Sequence, residues 1–168
     1  MVVESPSTDP RRYLVNVEEY QAVVDRALDG MLAVARELGP RRVNARAALP
    51  GSNSAFAMLT HCLGVCEYWV GALIAGRTVE RDREAEFVAA GTLEQLERDV
   101  AAGRARLHDD LAGYRPGQPL AVPPDPRFQG PDEQGLRQDG VLLHVLEELA
   151  QHHGQLQVLR DVLIATGA

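Results

Sequence analysis

The stretch LLHVLEELAQHHGQLQVLRDVL, residues 142–163, decides the fold. Its apolar residues recur every three or four positions, which is the spacing of one face of an α-helix. We therefore expect a long helix that begins near Gln138 or Asp139 and ends near Ala165. The residues along its apolar seam are Leu142, Val145, Leu149, His152, Leu156, Leu159 and Leu163.

Three earlier segments have the same helical periodicity. The first and the third begin with capping boxes, in which Glu19 and Gln95 are the partners of the capping residues. Their limits are Asn16 and Gly39-Pro40 for the first, PGSNS (50–54) and Gly76 for the second, and Thr92 and Gly113 for the third. No stretch alternates like a strand, so the sequence predicts an all-α, four-helix bundle, with residues 1–168 as a single domain.

Two connections are longer than a minimal bundle needs. Residues 76–91 contain the charged run RDREAEF, and residues 114–137 contain GQPLAVPPDPRFQGPDEQG. Loops of this length in a compact domain are commonly functional or disordered. The second loop is stiffened by prolines and carries Phe128 among polar residues, so it is either an ordered flap or a plain crossover between helices.

Composition excludes several classes of function. The chain has a net charge of −7 with its acidic residues dispersed, which disfavours nucleic acid as a partner. It has no run of 18 apolar residues and no signal peptide, so we expect no membrane span and a cytoplasmic location. Cys62 and Cys66 stand one helical turn apart, where a disulfide is geometrically poor, and we expect both as reduced thiols.

Polar side chains interrupt the seam of the last helix. Helix geometry places His152 near the centre of the buried face and Glu148 about 65° from it, still able to turn inward. His144 falls at the margin, about 105° away. An inward glutamate and histidine one turn apart are either a structural hydrogen-bonded pair or two ligands of a divalent metal.

A metal would need a third ligand from another helix. The candidates in the second helix are His61, Cys62 and Cys66. Thiolate and imidazole both bind zinc. Cys62 lies at the centre of the apolar face of the second helix, whereas His61 lies further round the helix. Helix geometry alone leaves the choice open.

Two motifs carry a resemblance to a known family. HCLGVCEYW (61–69) and LLHVLEELAQHHGQLQVLRD (142–161) resemble the DinB-like superfamily of bacterial metal-binding bundles. They are most similar to its actinobacterial branch, which includes the mycothiol-dependent maleylpyruvate isomerase N-terminal domain and related thiol transferases. The resemblance implies a bundle of DinB/YfiT type with His61, Glu148 and His152 as metal ligands. Cys66 departs from the pattern, because relatives often carry an acidic residue there.

The resemblance also implies an activity. It predicts a metal-dependent thiol S-transferase or isomerase-like enzyme that activates a low-molecular-weight thiol on zinc, with nickel or iron as other possible metals. All 17 basic residues are arginine, which suits an actinobacterial host and mycothiol as the thiol. The alternatives are a non-catalytic metal-binding protein of the stress response and a metal-dependent hydrolase.

Other residues are candidates for the surroundings of the metal. His144 either donates a hydrogen bond toward Glu148 or is a surface histidine. Gln155 and Trp69 either line a pocket or serve packing and helix-end solvation. Arg81 and Arg83 either meet an anionic substrate or belong to a solvated turn, and a homodimer is possible.

Overall fold

The computed structural model describes residues 15–128, 130 and 135–167, which form helices and loops without a strand. Four long helical segments make the bundle, which confirms the predicted all-α fold. The helices are α1 (Val17–Arg42), α2 (Ala55–Cys66), a short α3 (Arg83–Val88), α4 (Leu93–Leu111) and α5 (Gln138–Thr166). The N-terminal segment that was interpreted as lacking a signal peptide lies outside the described residues.

The predicted helix starts are confirmed by side-chain caps. The Asn16 side chain accepts a hydrogen bond from the Glu19 N–H at 2.9 Å, and Thr92 accepts one from the Gln95 N–H at 3.1 Å. Each bond satisfies a backbone donor that has no partner within its helix. The backbone of α1 breaks at Gly39, where φ is 69°, and one further helical turn follows.

The second helix differs from the prediction over its last two turns. A continuous α-helix was expected as far as Gly76, but Glu67–Ala72 forms a π-helix that continues α2. At Gly71 an added Cβ would lie 2.3 Å from the Arg77 guanidinium. The Arg77 guanidinium pairs with Asp110 of α4 at 2.6 Å and with Glu67 of the π-helix at 2.5 Å. It therefore links the π-helix to α4. π-Helical turns are frequent at functional sites.

The run RDREAEF forms a helix where a loop was predicted. Asp82 caps it by accepting a hydrogen bond from the Ala85 N–H at 3.0 Å. The helix, α3, packs on α2 and buries the Glu86 side chain against it. Its single turn and a half is too short to give a periodic apolar pattern, which is why periodicity did not predict it.

The bundle encloses one continuous apolar core. α1 packs against α2, α4 and α5, and α2 packs in turn against α4 and α5. Leu149 and Leu156 of α5 are fully buried, as their places in the seam predicted. His152 between them is only partly buried, with 14% of its side chain exposed, because its ring faces Glu148 and the His61 ring rather than the core. None of the described helices is long and apolar enough to cross a membrane.

The proline-rich loop is fixed to the bundle over its described part. The Ala121 N–H donates to the Leu73 carbonyl at 2.7 Å, and the Asp125 N–H donates to Tyr68 Oη at 2.6 Å. The Phe128 ring packs edge-on against Tyr68, with 4.9 Å between the ring centroids. These contacts favour the ordered flap over the plain crossover, although residues 129 and 131–134 of the loop lie outside the described residues.

Candidate metal centre

Three electron-pair donors from two helices converge at one point. His61 Nε2 of α2 lies 3.6 Å from Glu148 Oε2 of α5, and His152 Nε2 lies 3.3 Å from the same oxygen. The three ligand atoms all lie within 4.8 Å of one another. Ligand atoms on a tetrahedral zinc ion, each about 2.0–2.1 Å from the metal, stand about 3.3 Å apart. The observed spacing therefore fits one ion held by all three side chains.

His61 is oriented by a buried carboxylate on its other ring nitrogen. Its Nδ1 donates to Glu86 Oε2 at 2.8 Å, and only 3% of the residue is exposed. A histidine that donates from Nδ1 presents the Nε2 lone pair as a ligand, which is the arrangement of carboxylate–histidine–metal triads. Nε2 is the atom that faces Glu148.

Glu86 is itself held in place from two sides. Arg81 donates to both of its carboxylate oxygens, at 2.8 and 2.9 Å. On the other side, an added Cβ at Gly64 would lie 2.1 Å from Glu86 Oε1. The glycine one turn after His61 therefore makes the room in which this carboxylate sits against α2.

His152 is oriented in the same sense by Gln155. The Gln155 side-chain oxygen can only accept, so His152 Nδ1 donates to it at 2.8 Å and Nε2 is left as an acceptor. The amide oxygen of Gln155 thus does for His152 what the Glu86 carboxylate does for His61. Gln155 was a candidate for the pocket, and the structure places it directly beside the donor set.

The pKa shifts of His61 and Glu148 reflect how close the donor atoms lie to one another. Burial lowers the pKa of His61, but the Glu148 and Glu86 carboxylates favour the protonated ring and outweigh burial, so the net pKa is raised. When protonated, the His152 and His61 rings lower the pKa of Glu148 far below its usual range, against the opposing effect of burial. Two imidazole lone pairs that face a carboxylate oxygen require positive charge between them, which a proton or a metal cation can supply.

A cavity of about 320 Å³ opens onto the donor set. Trp69 lies on its wall, with its ring centroid 4.3 Å from that of His144. His144 Nε2 is 4.0 Å from Glu148 Oε1, a contact too long for the hydrogen bond that was considered from the sequence. The lining residues are His61, Val65, Trp69, Arg81, Arg83, Arg127, Phe128, Gly130, His144 and Glu148.

The aromatic wall continues through the proline-rich loop. Arg81 lies over the Phe128 ring at 5.2 Å and over the Tyr68 ring at 5.8 Å, both within the range of cation–π contacts. The structure therefore brings Trp69, His144 and Arg81 to one cavity. It also adds Phe128, so the loop before α5 forms part of the wall.

Reasoning from the sequence missed two residues beside the donor set. Glu86 binds His61, and the Phe87 ring stacks on the His61 ring with 4.5 Å between centroids. Both stand in RDREAEF, which was interpreted as a loop. Asp82 followed by Arg83 and Glu84 is a helix-start pattern, and this signal could have placed the two residues on a helix.

Neither cysteine joins the donor set among the described residues. Both side chains are buried, and burial raises the pKa of the Cys66 thiol to about 12. Burial, together with nearby negative charge, also raises the pKa of Cys62 well above its usual range. Thiols that stay protonated in an apolar environment are poor zinc ligands and poor nucleophiles.

The fold and site define a helical bundle with a His–Glu–His donor set that could hold a metal ion at the wall of a polar cavity. A model of the mycothiol S-transferases matches residues 19–165, and the chain belongs to that family. A comparison with curated proteins found no match.

Proposed function

We propose that this protein is a metal-dependent transferase that holds a divalent cation on His61, Glu148 and His152 and moves the sulfur of mycothiol onto an electrophile. Family membership supports the thiol. The convergence of three donor atoms within 4.8 Å supports the metal and is the observation on which the proposal rests. Zinc suits two imidazoles and a carboxylate, and nickel and iron accept the same ligands.

Two neighbouring side chains orient the histidines of the donor set. Glu86 and Gln155 hold the two imidazoles so that both Nε2 atoms face Glu148. Three protein ligands leave a coordination position for another molecule, as in catalytic rather than structural zinc sites. A bound divalent cation would favour the thiolate form of a thiol at neutral pH.

The reaction balances without any redox partner. A bond forms between the thiol sulfur and the electrophilic carbon, and the leaving group departs with the electron pair of the bond that breaks. The thiol proton is released to water at the mouth of the cavity, where Arg83 and Arg127 are solvent-exposed. The protein supplies position and charge rather than a covalent intermediate.

The chain's own thiols do not compete for the role of nucleophile. Cys62 and Cys66 are buried, and neither sulfur belongs to the donor set in the described part of the chain. Their raised pKa values keep both protonated at neutral pH. The sulfur that reacts must therefore come from a separate molecule, which agrees with a thiol cosubstrate.

The test is metal content together with turnover. The protein is purified without a metal-affinity tag, and bound metal is measured by inductively coupled plasma mass spectrometry. We expect about one equivalent in the wild type and little in a Glu148→Ala, His152→Ala variant. The matched control is Glu147→Ala, Gln151→Ala, which removes a pair at the same spacing on the exposed side of α5.

Turnover is then measured with mycothiol and an electrophile. Conjugation should stop when either the metal or the thiol is withdrawn. If the electrophile is consumed in the presence of the metal but without any thiol, the protein is a hydrolase instead. If the wild type and the control variant both stay metal-free after reconstitution, the proposal is wrong.

A further inference from the structure

Three arginines line the cavity beside the donor set, although the whole chain has a net charge of −7. Arg81, Arg83 and Arg127 line it, and Glu148 is the one carboxylate among its described lining residues. An arginine whose charge is not cancelled within the protein would attract an anionic ligand to that site. The question is which of the three guanidinium groups is available to a ligand.

Two of the arginines are already neutralised by carboxylates. Arg81 is bound to Glu86 through two hydrogen bonds. Arg127 is paired with Asp125, with 2.6 Å between Nη2 and Oδ2. Their charges are therefore largely cancelled within the protein.

Arg83 differs from these two. Within the described ranges no carboxylate lies at salt-bridge distance from it, and its guanidinium lies over the face of Phe87, 5.1 Å from the ring centroid. The Phe87 ring stacks on His61 at 4.5 Å. The guanidinium is thus positioned at the rim of the cavity, one aromatic ring away from the donor set, and it donates no hydrogen bond to another described residue.

We propose that Arg83 is a specificity-determining residue that binds a carboxylate on the electrophilic substrate. This inference rests on the proposed transferase function. A guanidinium binds a carboxylate through two parallel hydrogen bonds, and Phe87 pre-positions it for that geometry. The thiol is proposed to react at the donor set. A substrate whose carboxylate is bound by Arg83 would therefore have its electrophilic carbon between Arg83 and that thiol.

The test uses two electrophiles that differ in charge. 4-(Chloromethyl)benzoate and its N-methylamide each accept the thiol sulfur at the benzylic carbon and release chloride. With mycothiol and the metal-loaded protein, Arg83→Gln should lower kcat/KM for the carboxylate roughly five- to tenfold and leave the amide almost unchanged. Arg83→Lys should recover part of the loss, and Arg26→Gln, an exposed arginine of α1, serves as the control.

The two Michaelis constants show which of the two substrates Arg83 binds. The KM for the electrophile should rise while the KM for mycothiol stays constant. An equal loss for both electrophiles, or a rise confined to the KM for mycothiol, would overturn the inference.

A binding measurement keeps the inference separate from the proposed activity. 4-Methylbenzoate has the same shape but no leaving group, and 4-methylbenzamide is its neutral counterpart. By calorimetry on the metal-loaded protein, the wild type should bind the benzoate several-fold more tightly than Arg83→Gln does, with no such difference for the amide. If the wild type binds the benzoate in this way but turns over neither electrophile, the transferase proposal fails, while Arg83 is still shown to bind a carboxylate. Equal benzoate binding by both proteins would overturn the assignment.

Discussion

Glu86 Oε2 accepts a hydrogen bond of 2.8 Å from His61 Nδ1, although the two residues stand 25 positions apart on different helices. The bond determines which nitrogen of His61 carries the proton and so which one is free to bind a metal. It also connects α3 to the candidate metal centre. The short helix is therefore part of the site and not merely a connection within the bundle.

Replacement of Glu86 by glutamine should weaken metal binding by roughly 10- to 100-fold, the range found when a partner of a ligating histidine is lost. The amide oxygen of the new side chain could still accept from His61, but without the charge that raises the basicity of the imidazole. The dissociation constant is measured by competition with a chromogenic chelator. Glu84→Gln, which removes an exposed carboxylate from the same helix, should leave it unchanged.

Loss of stability could mimic this effect, because Glu86→Gln also leaves the buried Arg81 without its partner, at a cost of about 3–5 kcal/mol. The double variant Arg81→Gln, Glu86→Gln buries no unpaired charge and should recover most of that stability. Its metal affinity should nevertheless stay low. Wild-type affinity in the double variant would show that Glu86 serves the fold alone.

Gly64→Ala should disturb the same bond without changing any charge. The new Cβ would lie 2.1 Å from Glu86 Oε1, so the carboxylate must move away from α2 and from His61. Alanine otherwise favours a helix over glycine by about 1 kcal/mol. Gly154→Ala is the control, because it meets nothing within 4 Å and should only stabilise α5. Equal metal affinity in both variants, measured with the same chelator, would contradict the packing argument.

The sequence was sufficient to predict the long helices because each carries its own local signals. Asn16 and Thr92 cap helix starts, and the apolar seam of α5 specifies its buried face. The pairing of Glu148 with His152 also follows from their spacing of one turn. His61 was named from a resemblance, because its position on α2 depends on how two distant helices pack.

The features that escaped prediction all depend on contacts between distant residues. The π-helix follows Cys66 where Arg77 and Asp110 brace the chain, and nothing in the local periodicity marks it. Glu86 was assigned to a loop, and only packing on α2 brings it to His61. Local patterns thus predicted the facing pair Glu148 and His152 on α5 but not the groups that orient His61.

Replacement of both cysteines by alanine should preserve metal binding and transfer activity. Cys62 and Cys66 are buried, and each lost sulfur should cost about 1 kcal/mol of stability. In the folded wild type both thiols should react slowly with Ellman's reagent at pH 8, since burial raises the pKa of Cys66 to about 12 and that of Cys62 likewise upward. Denaturant should expose both at once. A variant that binds metal normally yet loses activity would identify a cysteine as the nucleophile.

The junction between α4 and α5 should give the fold a pH dependence that is independent of the metal. Asp139 accepts hydrogen bonds from Tyr114 Oη and from the Gly117 N–H, both at 2.5 Å. Burial raises the pKa of Asp139, but these and other hydrogen bonds outweigh it, and the net pKa is lowered. A carboxyl whose folded pKa lies below its unfolded value, about 3.9, stabilises the protein above that value. The contribution is lost as the pH falls through the lowered pKa of the folded state.

Asp139→Asn should therefore reduce the free energy of unfolding by about 1–2 kcal/mol at pH 7, with allowance for partial exposure of the site. The difference from wild type should begin to shrink as the pH falls below about 4, because the unfolded chain then binds a proton at this carboxyl while the folded protein still does not. Urea unfolding is measured on chelator-treated protein, so that release of metal in acid does not contribute. Asp109→Asn, at an exposed carboxylate of α4, should change little at either pH. A gap between Asp139→Asn and wild type that stays constant down to pH 3 would show that the side-chain hydrogen bonds, rather than the charge, provide the stabilisation.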